Sequence, residues 1–261
     1  MTKSSSPFTP PNWVPAVEPG MKILIVGASG GLGSSLTDML LKGSDCIVGT
    51  HGATKAYHGD SDSRTIPLQA TLNSEDDCLN LVDMFCEQAN GIDGIVILAG
   101  RLTKTDHWDN LSAEEWEQDI HVNLNIPFYL ARTAMRKMKE QNLGGRIILN
   151  GTESAIHGGS AQSFPYAIAK RGTECMVEGL AREGASHGIL VNGVRLGYIK
   201  SGFHQRWLKK DKEAMDIRTE LVPLKRGGEP EEAAALFTYL LSGWSTFITG
   251  QMFALTGGDW L

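Results

Sequence analysis

Short apolar runs alternate with longer stretches of helical periodicity along most of the chain. The run 22–26 reads KILIV, and 47–50, 92–98, 146–150 and 190–194 repeat its continuous apolar character. Such runs predict strands buried on both faces, since a half-exposed strand would alternate apolar and polar residues. Between them, 32–41, 74–88, 112–139, 166–184 and 230–241 carry helical spacing. The helix at 74 opens with Ser74, a capping residue, and then Glu75, Asp76 and Asp77, which suit the positive end of a helix. The helix at 112 opens with Ser112 and Glu115 at capping-box spacing.

Strand–helix alternation of this kind predicts an α/β fold: a Rossmann-like, doubly wound parallel sheet of about seven strands with helices on both faces. The alternation continues without a break, which predicts one domain over 21–261. Residues 1–20 differ. They hold five prolines and the run Ser4, Ser5 and Ser6. Proline fixes φ and donates no backbone hydrogen bond, so this arm is neither regular helix nor inner strand. It is expected to be a flexible or surface-draped leader; a docking arm for a partner subunit is the other reading.

Composition narrows the function classes. The formal net charge is −6, which offers no general attraction to a polyanion and excludes a nucleic-acid binder. Cys46, Cys78, Cys86 and Cys175 form no C-x-x-C pair and read as free thiols of a reducing compartment. No apolar run approaches the ~18 residues of a membrane span. No signal-peptide core opens the chain. A cytoplasmic enzyme or binding protein with no membrane and no metal site is the expectation.

The first chemical signal follows the first strand. Gly27-Ala28-Ser29-Gly30-Gly31-Leu32-Gly33 joins that strand directly to a helix. Glycine allows the sharp turn and lets backbone N–H groups approach a phosphate. The helix N-terminus behind it adds unpaired N–H groups and a partial positive charge. A dinucleotide pyrophosphate fits there, although the spacing is G-x-x-x-G-x-G and not G-x-G-x-x-G. A tight turn alone would also use glycines; the placement between first strand and first helix is what argues for the cofactor.

The second signal is Tyr166-Ala167-Ile168-Ala169-Lys170. On a helix the Tyr and Lys lie one turn apart on one face. A cation about 4 Å from the phenol, at an effective dielectric near 20, is worth ~4 kcal/mol. That would bring a phenol with a reference pKa of ~10 toward neutrality, fit to exchange a proton with a carbonyl or alcohol oxygen.

Together with these motifs, several ordered segments resemble the short-chain dehydrogenase/reductase family over about residues 21 to 259. Gly27, Gly31 and Gly33 match its glycine signature, and Ala99-Gly100 the end of its N-N-A-G element. Asn123 matches its helix-borne Asn. Val191-Asn192-Gly193-Val194 with Gly197, Pro223-Leu224-Lys225-Arg226, and Ile248-Thr249-Gly250-Gln251 resemble its later segments. The resemblance implies catalysis by Asn123, Thr152, Tyr166 and Lys170. It implies cofactor contacts from Gly27, Ser29, Gly30, Gly31, Leu32, Gly33, Thr50, His51, Ala99, Gly100, Tyr166, Lys170, Gly197 and Ile199.

The departures matter. The family Ser about 13 positions before the Tyr falls on Glu153; reading along the fifth strand aligns Thr152 instead, with Ser154 as the competing hydroxyl. Ile97 and Leu98 replace the paired asparagines, Leu196 replaces the Pro before Gly197, and Gln69 stands where an Asp often meets adenine.

NAD-preferring relatives carry an acid at the end of the second strand. Here the segment reads Val48-Gly49-Thr50-His51-Gly52-Ala53-Thr54-Lys55, with no acid. That favours NADP(H) over NAD(H), although Gly30 offers no basic side chain. The segment 198–226, which covers the substrate in the family, carries Lys200, His204, Arg206, Lys209, Lys210 and Lys212 with Phe203 and Trp207. An acidic or aromatic substrate suits it, and so does a solvated face. Glu153 and His157 are possible pocket residues. The resemblance further implies a homo-oligomer, dimer or tetramer. The expected activity is hydride transfer between a nicotinamide and a small-molecule carbonyl or alcohol. An enoyl reductase or dehydratase-like relative and a non-catalytic NADP-binding regulator are the alternatives.

Overall fold

In the computed structural model, which describes residues 8–54, 57, 62–102, 108–160, 162–209 and 211–259, seven strands form one parallel sheet. In chain order the elements are β1 (Lys22–Val26), α1 (Gly31–Gly43), β2 (Ile47–Gly52), β3 (Thr65–Gln69), α2 (Glu75–Ala89), β4 (Gly94–Ile97), α3 (Ala113–Ile120), α4 (Ile126–Gln141), β5 (Gly145–Thr152), α5 (Phe164–Gly184), β6 (Ile189–Leu196), α6 (Phe203–Leu208), α7 (Lys212–Leu221), α8 (Pro230–Leu241) and β7 (Met252–Leu255). The sheet order is β3-β2-β1-β4-β5-β6-β7. It reverses between β1 and β4, the switch point where open α/β sheets bind ligands beyond the strand C-termini.

The continuous apolar runs are explained by two cores. In β1, Leu24 and Val26 face α2, α4 and α5, whereas Ile23 and Ile25 face α1 and α8. Each strand residue is therefore buried whichever way it points, and the alternation seen in half-exposed sheets disappears. The edge strand β3, TIPLQ, lacks such a run. Pro67 sits in β3, where only one neighbouring strand needs backbone donors, so its missing N–H is tolerated.

Both expected caps form. Ser74 Oγ accepts from Asp77 N at 3.1 Å, and Ser112 and Glu115 make the reciprocal box at 3.2 and 3.0 Å. The stretch 112–139 is not one helix. A π-helical turn, His121–Asn125, separates α3 from α4, and Pro127 then opens α4. Such bulges insert one residue and re-aim a side chain. Here that side chain is Asn123.

Val17 N donates to Ser44 Oγ at 2.9 Å and Gly20 N to the Asp45 carbonyl at 2.6 Å. Glu18 accepts from Gly243 N at 2.7 Å, and the Phe8 ring lies 5.9 Å from the Arg226 guanidinium. Residues 8–20 thus run along the α1–α8 side of the molecule. Among the described residues, no helix is long and apolar enough to cross a membrane.

Candidate active site

A cleft of about 1200 Å³ opens at the C-terminal ends of β1, β2, β4, β5 and β6. Its first wall is the glycine loop. Gly27 has φ +97°, a conformation that side chains resist, and its own Cβ would meet Ala99 N at 3.1 Å. A Cβ on Gly33 would lie 2.3 Å from the Gly27 carbonyl oxygen, and one on Gly31 2.6 Å from the Ser201 carbonyl. The loop hangs from β2, because the His51 carbonyl accepts from Gly27 N at 3.2 Å and Ala28 N at 2.8 Å. Gly30 caps α1 without a side chain, and no acid occupies the first turn. Ser29, Gly30, Gly31, Leu32 and Gly33 all line the cleft. Bare backbone, an open helix N-terminus and a cradle that any Cβ would fill fit the pyrophosphate of a dinucleotide.

The end of β2 departs from expectation. Thr50 is buried, its hydroxyl 3.4 Å from the Ile66 carbonyl of β3, and it is absent from the cleft wall. Side chains of successive strand residues face opposite ways, so His51, Gly52, Ala53 and Thr54 take that place. Lys55 lies outside the described residues, as does Lys210.

Beyond β4, Ala99 and Gly100 line the cleft. The loop needs support in place of the asparagines that Ile97 and Leu98 replace. Asn123 supplies it: Oδ1 accepts from Arg101 N at 3.1 Å, and Nδ2 donates to the Arg101 and Asp119 carbonyls at 2.7 and 3.0 Å. Fully buried, Asn123 lies under the floor of the cleft, its Oδ1 only 3.0 Å from where a Gly100 Cβ would stand.

Thr152 ends β5, and Tyr166 stands in the first turn of α5. Both line the cleft. The two side chains are hydrogen-bonded, and Thr152 Oγ1 is 3.2 Å from Ser154 Oγ. The structure therefore sets Thr152 against the phenol and Ser154 behind it. Lys170, one turn on, is 1% exposed and donates from Nζ to the Asn150 carbonyl at 3.0 Å.

The electrostatics differ from the sequence expectation. Burial pushes the Tyr166 phenol well above its ordinary value; the Thr152 hydrogen bond opposes this and the Asp119 carboxylate adds to it. Burial pulls the Lys170 ammonium down to about 8. Nζ stands 5.9 Å from the Tyr166 ring centroid, farther than the spacing argument assumes, and desolvation outweighs attraction at both groups. A phenol held protonated is a proton donor.

The remaining wall is α6 and α7 with the loops around them. Phe203 packs on Tyr166 with ring centroids 5.9 Å apart. Phe203, His204, Arg206 and Trp207 line the cleft, while Lys200 instead pairs with Glu229 at 2.5 Å. Arg218 of α7 forks onto the buried carboxylate of Asp259 near the C-terminus. Glu153 and His157 line the opposite side. Arg195 of β6 sits between two carboxylates, Glu153 at 3.4 Å and Glu174 at 3.6 Å. Sequence reasoning missed Arg195 and Asp259, because each finds its partners across long chain separations that no local pattern marks.

Comparison with known proteins gives the family. A family model described as enoyl-(acyl carrier protein) reductase matches residues 48–259. A 3-oxoacyl-(acyl-carrier-protein) reductase of Rickettsia bellii is 35% identical over 92% of this chain and 96% of its own length. An acetoacetyl-CoA reductase of Allochromatium vinosum is 28% identical over 90% and 96%. Among solved structures, a short-chain type dehydrogenase/reductase of Mycobacterium marinum superposes with TM-score 0.83 at 26% identity, over 94% of this chain and 97% of that one. Another from Mycobacterium ulcerans shares the fold, with TM-score 0.81 at 20% identity over 93% and 90%. The chain belongs to the short-chain dehydrogenase/reductase family and is an oxidoreductase.

Proposed function

We propose that the protein reduces the ketone of a 3-oxoacyl thioester to the alcohol with NADP(H). The observation that carries this reading is that Tyr166, at the start of α5, and Thr152, at the end of β5, face one cleft together with the glycine loop. The names of the Rickettsia and Allochromatium relatives support the substrate class.

The nicotinamide, when bound, supplies the hydride. The chain supplies the rest. The Thr152 hydroxyl donates to the ketone oxygen and holds it against Tyr166. Tyr166 gives its phenolic proton to that oxygen as negative charge grows there. Lys170 keeps a positive charge beneath the site, which eases the loss of that proton. Asn123 holds the loop at Arg101 and so the floor near Gly100. The glycine loop and the α1 N-terminus seat the pyrophosphate. Ala99, Gly197 and Ile199 border the path between that loop and Tyr166. The lack of an acid in the β2 end leaves room for a 2′-phosphate. The catalytic unit is proposed to be a dimer or tetramer, with the exposed Cys175 and Gly179 side of α5 allowing close approach.

The test is direct. Acetoacetyl-CoA and crotonyl-CoA are each offered with NADPH, and the loss of nicotinamide absorbance is followed. Turnover of the first and not the second supports ketone reduction. The reverse outcome favours the enoyl reading in the family model's description, and tight NADPH binding without turnover of any carbonyl favours a regulator.

A further inference from the structure

Arg195 stands on β6, in register with Gly151 of β5. Its stem lies against that glycine: a Cβ on Gly151 would be 3.2 Å from Arg195 Cγ. Its head reaches past Thr152 to the following residue, with Nε 3.4 Å from Glu153 Oε2. One side chain therefore holds the residues before and after Thr152. Successive strand residues face opposite ways, and Thr152 borders the cleft whereas Arg195 does not. Arg195 backs the strand end from which the Thr152 hydroxyl projects.

The same guanidinium reaches the helix of the Tyr–Lys pair. NH1 is 3.6 Å from Glu174 Oε1, and Glu174 lies one turn beyond Lys170 on α5. Glu174 Oε2 in turn accepts from Arg171 NH1 at 2.6 Å. Among the described residues, Arg195 is the only cation paired with Glu153. The side chains of Glu153, Glu174 and Arg195 are 11%, 13% and 22% exposed. Stability does not account for the arrangement. Glu153 Oε2, Glu174 Oε1 and Arg195 Nε are buried and make no hydrogen bond among the described residues. Ion pairs taken out of water on such terms recover little of their desolvation cost. What the three charges achieve is geometric: one cation ties the end of β5, which carries Thr152, to the helix that carries Tyr166 and Lys170.

We propose that Arg195 is a positioning residue for the reaction, setting the Thr152 hydroxyl against the Tyr166 phenol. The proposal rests on the ketone-reduction reading, in which both groups meet one substrate oxygen. Without the guanidinium, Glu153 keeps no cation and Glu174 keeps only Arg171. Glu153 then turns toward water, and the chain after Thr152 moves with it. A shift of about 1 Å in a reacting group can cost ~100-fold in rate. The loss is bounded by that of removing the hydroxyl itself, because Arg195 acts only through Thr152. Cofactor affinity is spared, since Arg195 does not border the cleft.

A double-mutant cycle on the full chain tests this. Arg195→Met keeps the stem over Gly151 and removes the charge. It is made in the wild type and in Thr152→Val. For each protein, kcat with acetoacetyl-CoA at saturating NADPH and the NADPH dissociation constant are measured below the melting transition. Arg195→Met should lower the wild-type kcat by about tenfold or more. In Thr152→Val the same substitution should cost less than about twofold, with the dissociation constant within about twofold throughout. Arg195→Lys, which keeps the charge and loses the fork, should return kcat to within about threefold of wild type. If Arg195→Met does not fold, Glu153→Gln cuts the same tie from the other end and takes its place in the cycle, with the same expectation. An equal fold-loss in both backgrounds, or a wild-type kcat for Arg195→Met, would overturn the proposal and leave ketone reduction standing. A wild type that reduces no ketone, or Thr152→Val at full rate, would overturn the ketone-reduction reading and the proposal with it.

Discussion

The two long walls of the cleft are built by opposite means. The glycine-loop wall is shaped by what is missing: Gly27, Gly31 and Gly33 leave no space for a Cβ, and backbone touches backbone. The α6–α7 wall is held by what is present, namely the Arg218 fork on Asp259 and the Phe203 ring on Tyr166. Close backbone packing has no adjustable part, so one added methyl group must displace main chain. A side-chain tether can be cut and leave the fold standing. The cofactor wall should therefore respond to substitution all-or-none, and the substrate wall by degrees.

The largest effect should come from Gly33→Ala. Its Cβ would overlap the Gly27 carbonyl, and overpacking against main chain costs about 3 kcal/mol. The melting temperature should drop by roughly 6–12 °C, and cofactor affinity should fall at least a hundredfold. A Gly33→Ala protein with native affinity would break the comparison. Thr152→Val comes next, with turnover down about 100-fold because a donor to the growing oxyanion is removed. Ser154→Ala should change it by no more than a few fold; the reverse ranking would move the catalytic hydroxyl to Ser154.

A smaller effect concerns pH. The Lys170 ammonium, held near 8, loses its charge as pH rises through that value, so ketone reduction should be level below it and decline about tenfold per unit above. Unfolding does not mimic this through Lys170. Between the folded value near 8 and the ordinary 10.5 the unfolded chain holds more protons, so this group makes the fold more stable as pH rises. A rate that stays level to pH 10 would remove Lys170 from the chemistry. Smallest is Arg218→Leu. It leaves Asp259 without its partner, at a cost of about 2 kcal/mol confined to the α7 wall. KM for the thioester should rise several-fold with kcat and cofactor affinity nearly unchanged, as steady-state kinetics would show.

The same contrast explains what could be read from the sequence. The glycine loop, the five inner strands and the Ser74 and Ser112 caps are local patterns, each complete within a few residues. The edge strand β3 is hidden by Pro67, whereas β7 is apolar throughout and as long as β4, so its pattern does not hide it. The π turn at Asn123 has no local pattern of its own, although Pro127 just beyond it marks a new helix start. At the end of β2 the residue types were legible and their orientation was not, since a strand alternates faces and a single step separates buried Thr50 from the cleft-lining His51. The Arg195 and Asp259 pairs join segments distant in the chain. The raised phenol of Tyr166 and lowered ammonium of Lys170 follow from burial, which the Y-x-x-x-K spacing does not contain.

The central claim is that Tyr166 gives the proton to the substrate oxygen. It is tested most directly by Tyr166→Phe, with the initial rate of acetoacetyl-CoA reduction and the NADPH dissociation constant measured on the same preparation. The substitution removes one oxygen and keeps the ring that packs on Phe203. The account predicts a rate reduced by about a thousandfold or more, in the range for loss of a general acid, with the dissociation constant changed by less than about twofold. A variant that keeps more than a few per cent of the rate would contradict it.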